Sequence, residues 1–471
     1  MWTSLATWRK ALQLNKKKFM KLKFIDLFAG IGGFRLGFEA ACKHENIDYE
    51  CVFSSEIKKS AISVYKENFN NEKIHGDITK IDEKSIPKFD VLLAGFPCQA
   101  FSTAGVRKGF LDTRGTLFFD IERIIKFHKP KAFILENVEG LVTHDLQNKS
   151  DNIGRTLKVI LHNLRKLGYQ VNWEVLNSLD FNLPQNRKRI FIVGTKNMLI
   201  PLKNFKTKTK VLKKILEKNK VEDQVGISKI LFEKYDKEFL IGKAIKDRRG
   251  GPNNIHSWDL EMKGKINSHQ KNVLKELLKS RRNKKWAEKK GIVWTDGMPL
   301  TISEIKTFCE IPNMKKNMDD LVKKGYLVKR HPVDLFKDSA GNNIKLPRED
   351  LSKGYDLVTG KLSFEISNIL DPQKFTPTLT ATDASKLAVI DGKILRKLTA
   401  REMARLFGFN DQFKLPELKL NYYDLFGNSI AVNVVKSVSL NLIRYNFLKE
   451  KFNGEVQTNP ENIQMELPYR S

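Results

Sequence analysis

The sequence predicts an α/β protein, a mostly parallel sheet with helices on both faces, joined to a smaller and strongly basic second domain. Three observations support this reading. Over the first 195 residues, short apolar runs alternate with helical patterns, which is how parallel strands linked by crossover helices read in sequence. Residues equipped for chemistry fall at or just past the carboxyl ends of those runs, where ligands bind on such sheets. Beyond Lys196 the alternation stops and lysine accumulates.

Residues 1–22 read as an N-terminal extension: basic residues flank a short apolar stretch and no cleavage-site pattern follows. The first domain spans 23–195. Its expected strands are 23–29, 51–56, a short 74–77, 90–95, 132–138 and 189–195. Helical periodicity fills Phe34 to Cys42, Ser60 to Phe69, Gly115 to Phe127 and Gly154 to Leu167. The second domain is expected over 196–420. It lacks a strand–helix repeat up to about Phe375, and RRGGPNN (248–254) breaks it. Within it, 301–328 reads as two helices and a strand, an amphipathic helical hairpin in preference to a winged helix. Helices are expected at 397–409 and 426–443, the second returning to the first domain as part of 421–450 and leaving 451–471 as a tail.

At 471 residues the chain is long enough for two or three domains, and 41% apolar content marks it as globular. The net charge is +30. Between Lys196 and Lys290, 27 Lys and Arg stand against 11 Asp and Glu, the footprint of a partner with a phosphate backbone. The four cysteines, Cys42, Cys51, Cys98 and Cys309, form no CxxC pair. That argues against a zinc site and a disulfide framework, so no metal is expected, and it fits a reducing cytoplasm. No apolar run is long enough to span a bilayer.

The chemistry is concentrated in GFPCQAFSTAG (95–105) and ENV (136–138). Each follows or ends an apolar run, so a thiol, Cys98, and a carboxylate, Glu136, meet if the two strands are neighbours. A nucleophilic thiol beside a carboxylic acid can attack an electron-poor ring while protonating it. A lone cysteine is more often a buried apolar residue, but Pro97, Gln99 and Ser102 have no core role, and a loop rich in Gly, Ser, Thr and Arg follows. Upstream, FIDLFAGIGGF (24–34) is a strand entering a glycine-rich turn and a helix. Arg35 stands where the third glycine of a dinucleotide fingerprint belongs, and Glu56 ends the second strand, placed to accept from a ribose diol. This suggests an adenosine-type cofactor without a pyrophosphate.

Seven motifs in order, DLFAGIGGF, SSEI with HGDIT, GFPCQAFS, RGTLFFD, ENV, QNRKRIFIVG and FGNSIAVNVV, give the chain its resemblance to the DNA (cytosine-5)-methyltransferases of bacterial restriction-modification systems. The match covers almost all of 24–195 and about 376 to 443. The resemblance implies an S-adenosylmethionine-dependent, Rossmann-like catalytic domain and a smaller target recognition domain. It implies a cofactor pocket made by Phe28, Gly30, Gly32 and Gly33, with Glu56 on the ribose, Ile57 on the adenine and Asp77 at the adenine amino group. Leu117 and Asn428 would close that pocket, and Asp26, Ile78 and Pro97 are counted with it. Cys98 would be the nucleophile and Glu136 the acid, with Arg187 and Arg189 beside a flipped cytosine. The loop from Phe101 to Arg114 would be a lid. Gln99, Ser102, Arg114, Lys284 and Lys285 are expected to touch DNA.

An enzyme methylating transfer RNA is the nearest rival, disfavoured by the basic insert of some 180 residues between the two blocks of motifs. A catalytically dead DNA-binding protein is disfavoured by intact Cys98, Glu136 and Arg189, and a nicotinamide oxidoreductase by Arg35. The expected partners are duplex DNA of a specific short sequence and, without a stable complex, a restriction endonuclease encoded nearby. The protein is expected to be a cytoplasmic, nucleoid-associated monomer.

Overall fold

The computed structural model describes residues 20–70, 72–97, 117–146, 151–203, 205–218, 225–247, 254–293, 297–338, 343–358, 364–416 and 421–450. The expectations for 1–19, for the loop holding Cys98, Gln99, Ser102 and Arg114, and for 451–471 lie outside the described residues. The chain forms two compact units, one drawn from Met1–Glu217, Pro372–Ala384 and Thr399–Ser471, the other from Lys218–Asp371 and Ser385–Leu398.

The first unit begins β1 (Lys21–Leu27), α1 (Gly33–His44), β2 (Asp48–Ser55), α2 (Lys59–Asn68), β3 (Val91–Gly95), α3 (Leu117–His128), β4 (Ala132–Val138), α4 (Arg155–Lys166), β5 (Gln170–Asn177) and β6 (Lys188–Thr195). The strands form one sheet in the order β2-β1-β3-β4-β6-β5. β1 pairs in parallel with β2 and β3, and β3 with β4, whereas β6 runs antiparallel to both neighbours. Buried strand residues alternate between the faces. Ile25, Leu92 and Leu135 pack with α3 and α4, and Phe24, Leu93 and Ile134 pack with α1. This is the expected mostly parallel sheet. Two local expectations change. Residues 74–77 contribute only a bridge from His75 to Ser55. β5 is not among the expected strands because Asn172 and Glu174 interrupt its apolar pattern, and as an edge strand it needs less apolar surface.

The second unit contains α5 (Ser228–Lys234), α6 (Lys237–Leu240), β7 (Ala244–Ile245), β8 (Asn254–Ile255), α7 (Ser268–Ser280), α8 (Lys285–Lys290), α9 (Ile302–Lys306), α10 (Met314–Lys323), β9 (Leu327–Arg330), β10 (Val333–Lys337), β11 (Asn343–Pro347), β12 (Gly354–Leu357), β13 (Asn368–Ile369), β14 (Leu387–Asp391) and β15 (Ile394–Lys397). One core gathers Trp258, Leu274, Leu277, Met318, Leu321 and Tyr355. The other gathers Leu231, Ile245, Ile369 and Leu395 around the sheet β15-β14-β13-β7-β8. The expected helical hairpin at 301–328 is only part of what forms. β9 continues from α10 and pairs antiparallel with β12, and Leu300 bridges to Tyr355 on the other side of β12, so the helices rest on a small sheet.

The chain returns to the first unit through α11 (Ala400–Leu406), α12 (Tyr422–Gly427) and α13 (Val432–Leu442). Residues 372–384 and 399–420, expected to belong with the basic domain, fall in the first unit instead. The reason is backbone pairing: Asn186 N–H donates to Thr376 O, Thr376 N–H to Pro184 O, and Leu212 N–H to Lys374 O. α13 buries Val434, Val435 and Val438 against Phe34 and Phe38 of α1, as expected for the returning helix.

Candidate active site

β1 has β2 on one side and β3 on the other, and chain direction through the sheet reverses there. A crevice at the carboxyl edge of a parallel sheet opens at such a point. Here it is a cavity of about 690 Å³, within the usual range for small-ligand sites. Its wall includes Phe28, Gly30, Gly33, Glu56, Ile57, Asp77, Ile78, Pro97, Leu117 and Asn428, together with Glu136, Arg187 and Arg189.

The turn after β1 is built under strain. Phe28 has φ 57°, a conformation bulky residues avoid, and Gly30 and Gly32 follow at 56° and 89°. At Gly32 a Cβ would lie 2.2 Å from the Phe69 ring. The turn is tied down by Ala29 N–H donating to Ser55 O at 3.0 Å and Gly30 N–H donating to the Glu56 carboxylate at 2.8 Å. Glu56 also accepts from the amides of Ile57 and Lys58, both at 2.8 Å. Two oxygens offer about four lone pairs, so acceptor capacity is left for a diol. Ile57 is 71% exposed, presenting an apolar side chain to the cavity. α1 starts at Gly33 with no side-chain cap, leaving first-turn amides for a carboxylate. Asp77 instead caps the turn that follows it, accepting from Thr79 N–H and Oγ–H, and these bonds hold its carboxyl below the usual range. Asn428 donates to the backbone and side chain of Asp424, which pairs with Lys58. An adenosine bearing an amino-acid tail fits this donor and acceptor set.

Asp26 departs from its expected role. It is fully buried and off the cavity wall, no side chain among the described residues bonds its carboxylate, and the backbone N–H of Arg35 is the one donor that bears on it. Burial pushes its pKa to about 8, opposed by Arg35 and reinforced by Glu56.

On the other side of the cavity, the β3–β4 register sets Gly95 beside Glu136. Arg189, opposite Val138 on β6, holds Glu136 through its Nε at 3.2 Å. Burial raises the Glu136 pKa, while Arg189 and then Arg187 oppose it. The site therefore has a carboxyl whose charged form burial disfavours, with a cation alongside. Arg187 is used differently. Its Nη1 donates to Leu379 O at 2.8 Å, and its Nη2 to Gly427 O at 3.3 Å and Ser429 O at 2.8 Å, while Nε has no partner. It clamps three backbone carbonyls behind Asn428. Sequence reading missed Asn137, whose side-chain amide donates to Phe96 O at 3.0 Å. That bond fixes the end of β3 just before Pro97, and its position inside ENV was the available signal. Lys284 and Lys285 lie in the second unit, at the start of α8.

Comparison with known proteins agrees with this geometry. Residues 22–444 match the family described as C-5 cytosine-specific DNA methylase. The type II methyltransferase M.NlaIV of Neisseria lactamica is 52% identical over 90% of this chain and 99% of its own. M.NgoBV of Neisseria gonorrhoeae is 51% identical over the same shares. M.BanI of Aneurinibacillus aneurinilyticus is 41% identical over 91% of this chain and 97% of its own. With a strained glycine turn, a buried acid and its arginine on one cavity, and sequence likeness along nearly its whole length, the chain belongs to the C-5 cytosine-specific DNA methylase family and is a DNA cytosine-5 methyltransferase.

Proposed function

We propose that the enzyme methylates carbon 5 of a cytosine flipped from a specific duplex sequence, through a covalent Cys98 adduct, and protects that sequence from a partner restriction endonuclease. The type II names of its relatives support the protective role. Such an enzyme works where the DNA is, in the cytoplasm, and needs no second subunit. The observation that carries the reading is that Glu136 with Arg189 and the Gly30–Glu56 turn line one cavity.

S-adenosylmethionine, held by Gly30, Gly33, Glu56, Ile57, Asp77 and Asn428, supplies an electrophilic methyl group. Carbon 5 of cytosine is too weak a nucleophile to take it unaided. Addition of the Cys98 thiolate to carbon 6 makes carbon 5 enamine-like and nucleophilic. Glu136, whose pKa burial raises, donates a proton to ring nitrogen 3 and drains the charge that builds there. Arg189 fixes the Glu136 carboxyl and favours negative charge nearby. Loss of the carbon 5 proton and expulsion of the thiolate release 5-methylcytosine. A stacked base cannot reach Cys98, so the cytosine leaves the helix. The second unit, with its lysine excess, reads the target sequence.

Cys98→Ser tests the chemistry. It is expected to abolish tritiated-methyl incorporation while cofactor binding persists. A duplex carrying 5-fluorocytosine at the target should give a denaturant-stable adduct with wild type and none with the variant. Wild-type incorporation by the variant would rule out the covalent step. Methylating a random-sequence pool and mapping 5-methylcytosine by bisulfite sequencing identifies the target.

A further inference from the structure

Residues 258–357 have a specific connectivity. α7 leads to Leu300, which bridges β12. α9 and α10 follow, then β9, the β10–β11 hairpin, and β12 closing back on β9. Leu300 N–H donates to Tyr355 O at 3.0 Å and Tyr355 N–H to Leu300 O at 2.7 Å, so the order across the sheet is Leu300, β12, β9. Of the four helices in this span, α7, α9 and α10 on a small sheet, with an extended hairpin between its last two strands, make a winged helix-turn-helix to which the short α8 is added before Leu300. We propose that this part of the molecule docks on the DNA substrate, with α10 in the major groove and the β10–β11 hairpin against the adjoining backbone. The proposal rests on the reading of the second unit as the sequence reader and assigns the reading surface within it.

α10 buries Met314, Met318 and Leu321 against α7, which turns Lys315, Lys316 and Lys323 to solvent. None of the three makes an ion pair among the described residues. The acids of the same helix are already engaged: Asp319 by Lys329 at 2.7 Å and the Tyr355 hydroxyl at 2.7 Å, Asp320 by Lys324 at 2.6 Å. The outward face is therefore cationic, as a helix entering a groove between phosphate strands must be. A groove between α9 and α10 is lined by Lys306, Lys315 and Lys316, with Asp319 as its one acid. The hairpin is anchored at its base, where the buried Asp334 carboxylate accepts from Val293 N–H at 2.9 Å and pairs with Arg348 at 3.3 Å, and its outer strand is open. All five residues of β11 are exposed, and Phe336, Ile344 and Leu346 stand exposed on one face, which the buried Asp334 shares at the hairpin's base. Its other face offers Lys337 and Lys345. An apolar edge flanked by lysines suits packing on sugar and groove wall, as in proteins that wedge into DNA.

The test is a triple substitution, Lys315→Gln, Lys316→Gln and Lys323→Gln, in the full chain, with the corresponding triple arginine variant as control. Binding to a labelled duplex carrying the target is followed by anisotropy over a range of salt, beside S-adenosylmethionine binding as a check on folding. The expected result is roughly tenfold or greater weakening, with the slope of log affinity against log salt reduced by about 0.9 for each phosphate no longer neutralised. Arginine should restore binding and cofactor affinity should not move. Unchanged DNA affinity and slope in the folded glutamine variant would overturn the assignment of α10. If exchange of the whole second unit still moved the methylated sequence, the reading of that unit would stand and only the docking surface would be wrong. If neither changed specificity or affinity, the reading itself would fall. Loss of cofactor binding in the triple variant is resolved by single substitutions, of which at least one at an exposed position should weaken DNA binding alone.

Discussion

Both carboxylate oxygens of Asp26 are buried with no side-chain partner among the described residues, and burial pushes its pKa up to about 8, against about 3.9 for an unfolded aspartate. Between these values the folded chain holds a proton the unfolded chain has released, so stability falls as pH rises through the window. The contribution is complete below about pH 4 and gone above about pH 8. Asp26→Asn, which keeps the shape of the protonated acid, should flatten this dependence and raise the melting temperature most at alkaline pH. Urea unfolding from pH 5 to 9 measures it, and an undiminished slope in the variant would contradict this account. Glu136→Gln belongs to the same scale. The amide can accept or donate at a nitrogen but cannot deliver a proton, so turnover should fall about a hundredfold or more with little change in DNA affinity. Single-turnover methylation and equilibrium binding separate the two.

Elements are locked together at positions where bulk is missing. A Cβ on Gly37 of α1 would stand 2.5 Å from Cβ of Val435 and 2.9 Å from the Val432 carbonyl of α13. The helices carrying the two ends of the first unit therefore touch nearly backbone to backbone. Gly37→Ala should cost about 1–3 kcal/mol by overpacking, measured by thermal or chemical unfolding. The helix at 426–443 was legible as amphipathic and as returning to the sheet. That Gly37 is where it docks was not, because a glycine within a helical pattern does not announce its neighbour. The same holds for Asn137, whose local sequence marks it as part of a motif but not as the donor to Phe96.

At the scale of the whole molecule, the basic segment and the compact unit do not coincide. Charge and rhythm suggested a boundary near 196 and another near 375 or 420, whereas the second unit is Lys218–Asp371 with Ser385–Leu398. β13 pairs in parallel with β14, and β14 pairs antiparallel with β15, so a cut at 375 divides a sheet. Exchanging 218–371 together with 385–398 for the corresponding parts of a relative should give a folded enzyme that methylates the relative's sequence. The exchange of 196–375 should yield less folded protein. Bisulfite mapping reads the specificity, and soluble yield with cofactor binding reads the folding. An active chimera still methylating the original sequence would place specificity outside this unit.

The sequence by itself determined the catalytic sheet and the approximate positions of its ligand-bearing ends. Period and apolarity are local properties, and β1, β3, β4 and α1 through α4 carry them without interruption. It also determined which residues to watch at the cavity, because Gly30, Glu56 and Glu136 end such runs. Tertiary structure alone decided what each does there. Arg187 looks like any charged residue at a strand start, but it bonds carbonyls 192, 240 and 242 residues away. Asp26 lies one residue before the end of β1, and the packing above it, not its neighbours in sequence, turns it from a pocket residue into a buried acid. β9 and β12 are too short and polar to declare themselves, and their pairing across the intervening β10–β11 hairpin is what makes a hairpin of helices into a winged unit. Local sequence sets the periodicity of an element, but the partner of a buried donor or an edge strand is chosen only when distant segments close on each other.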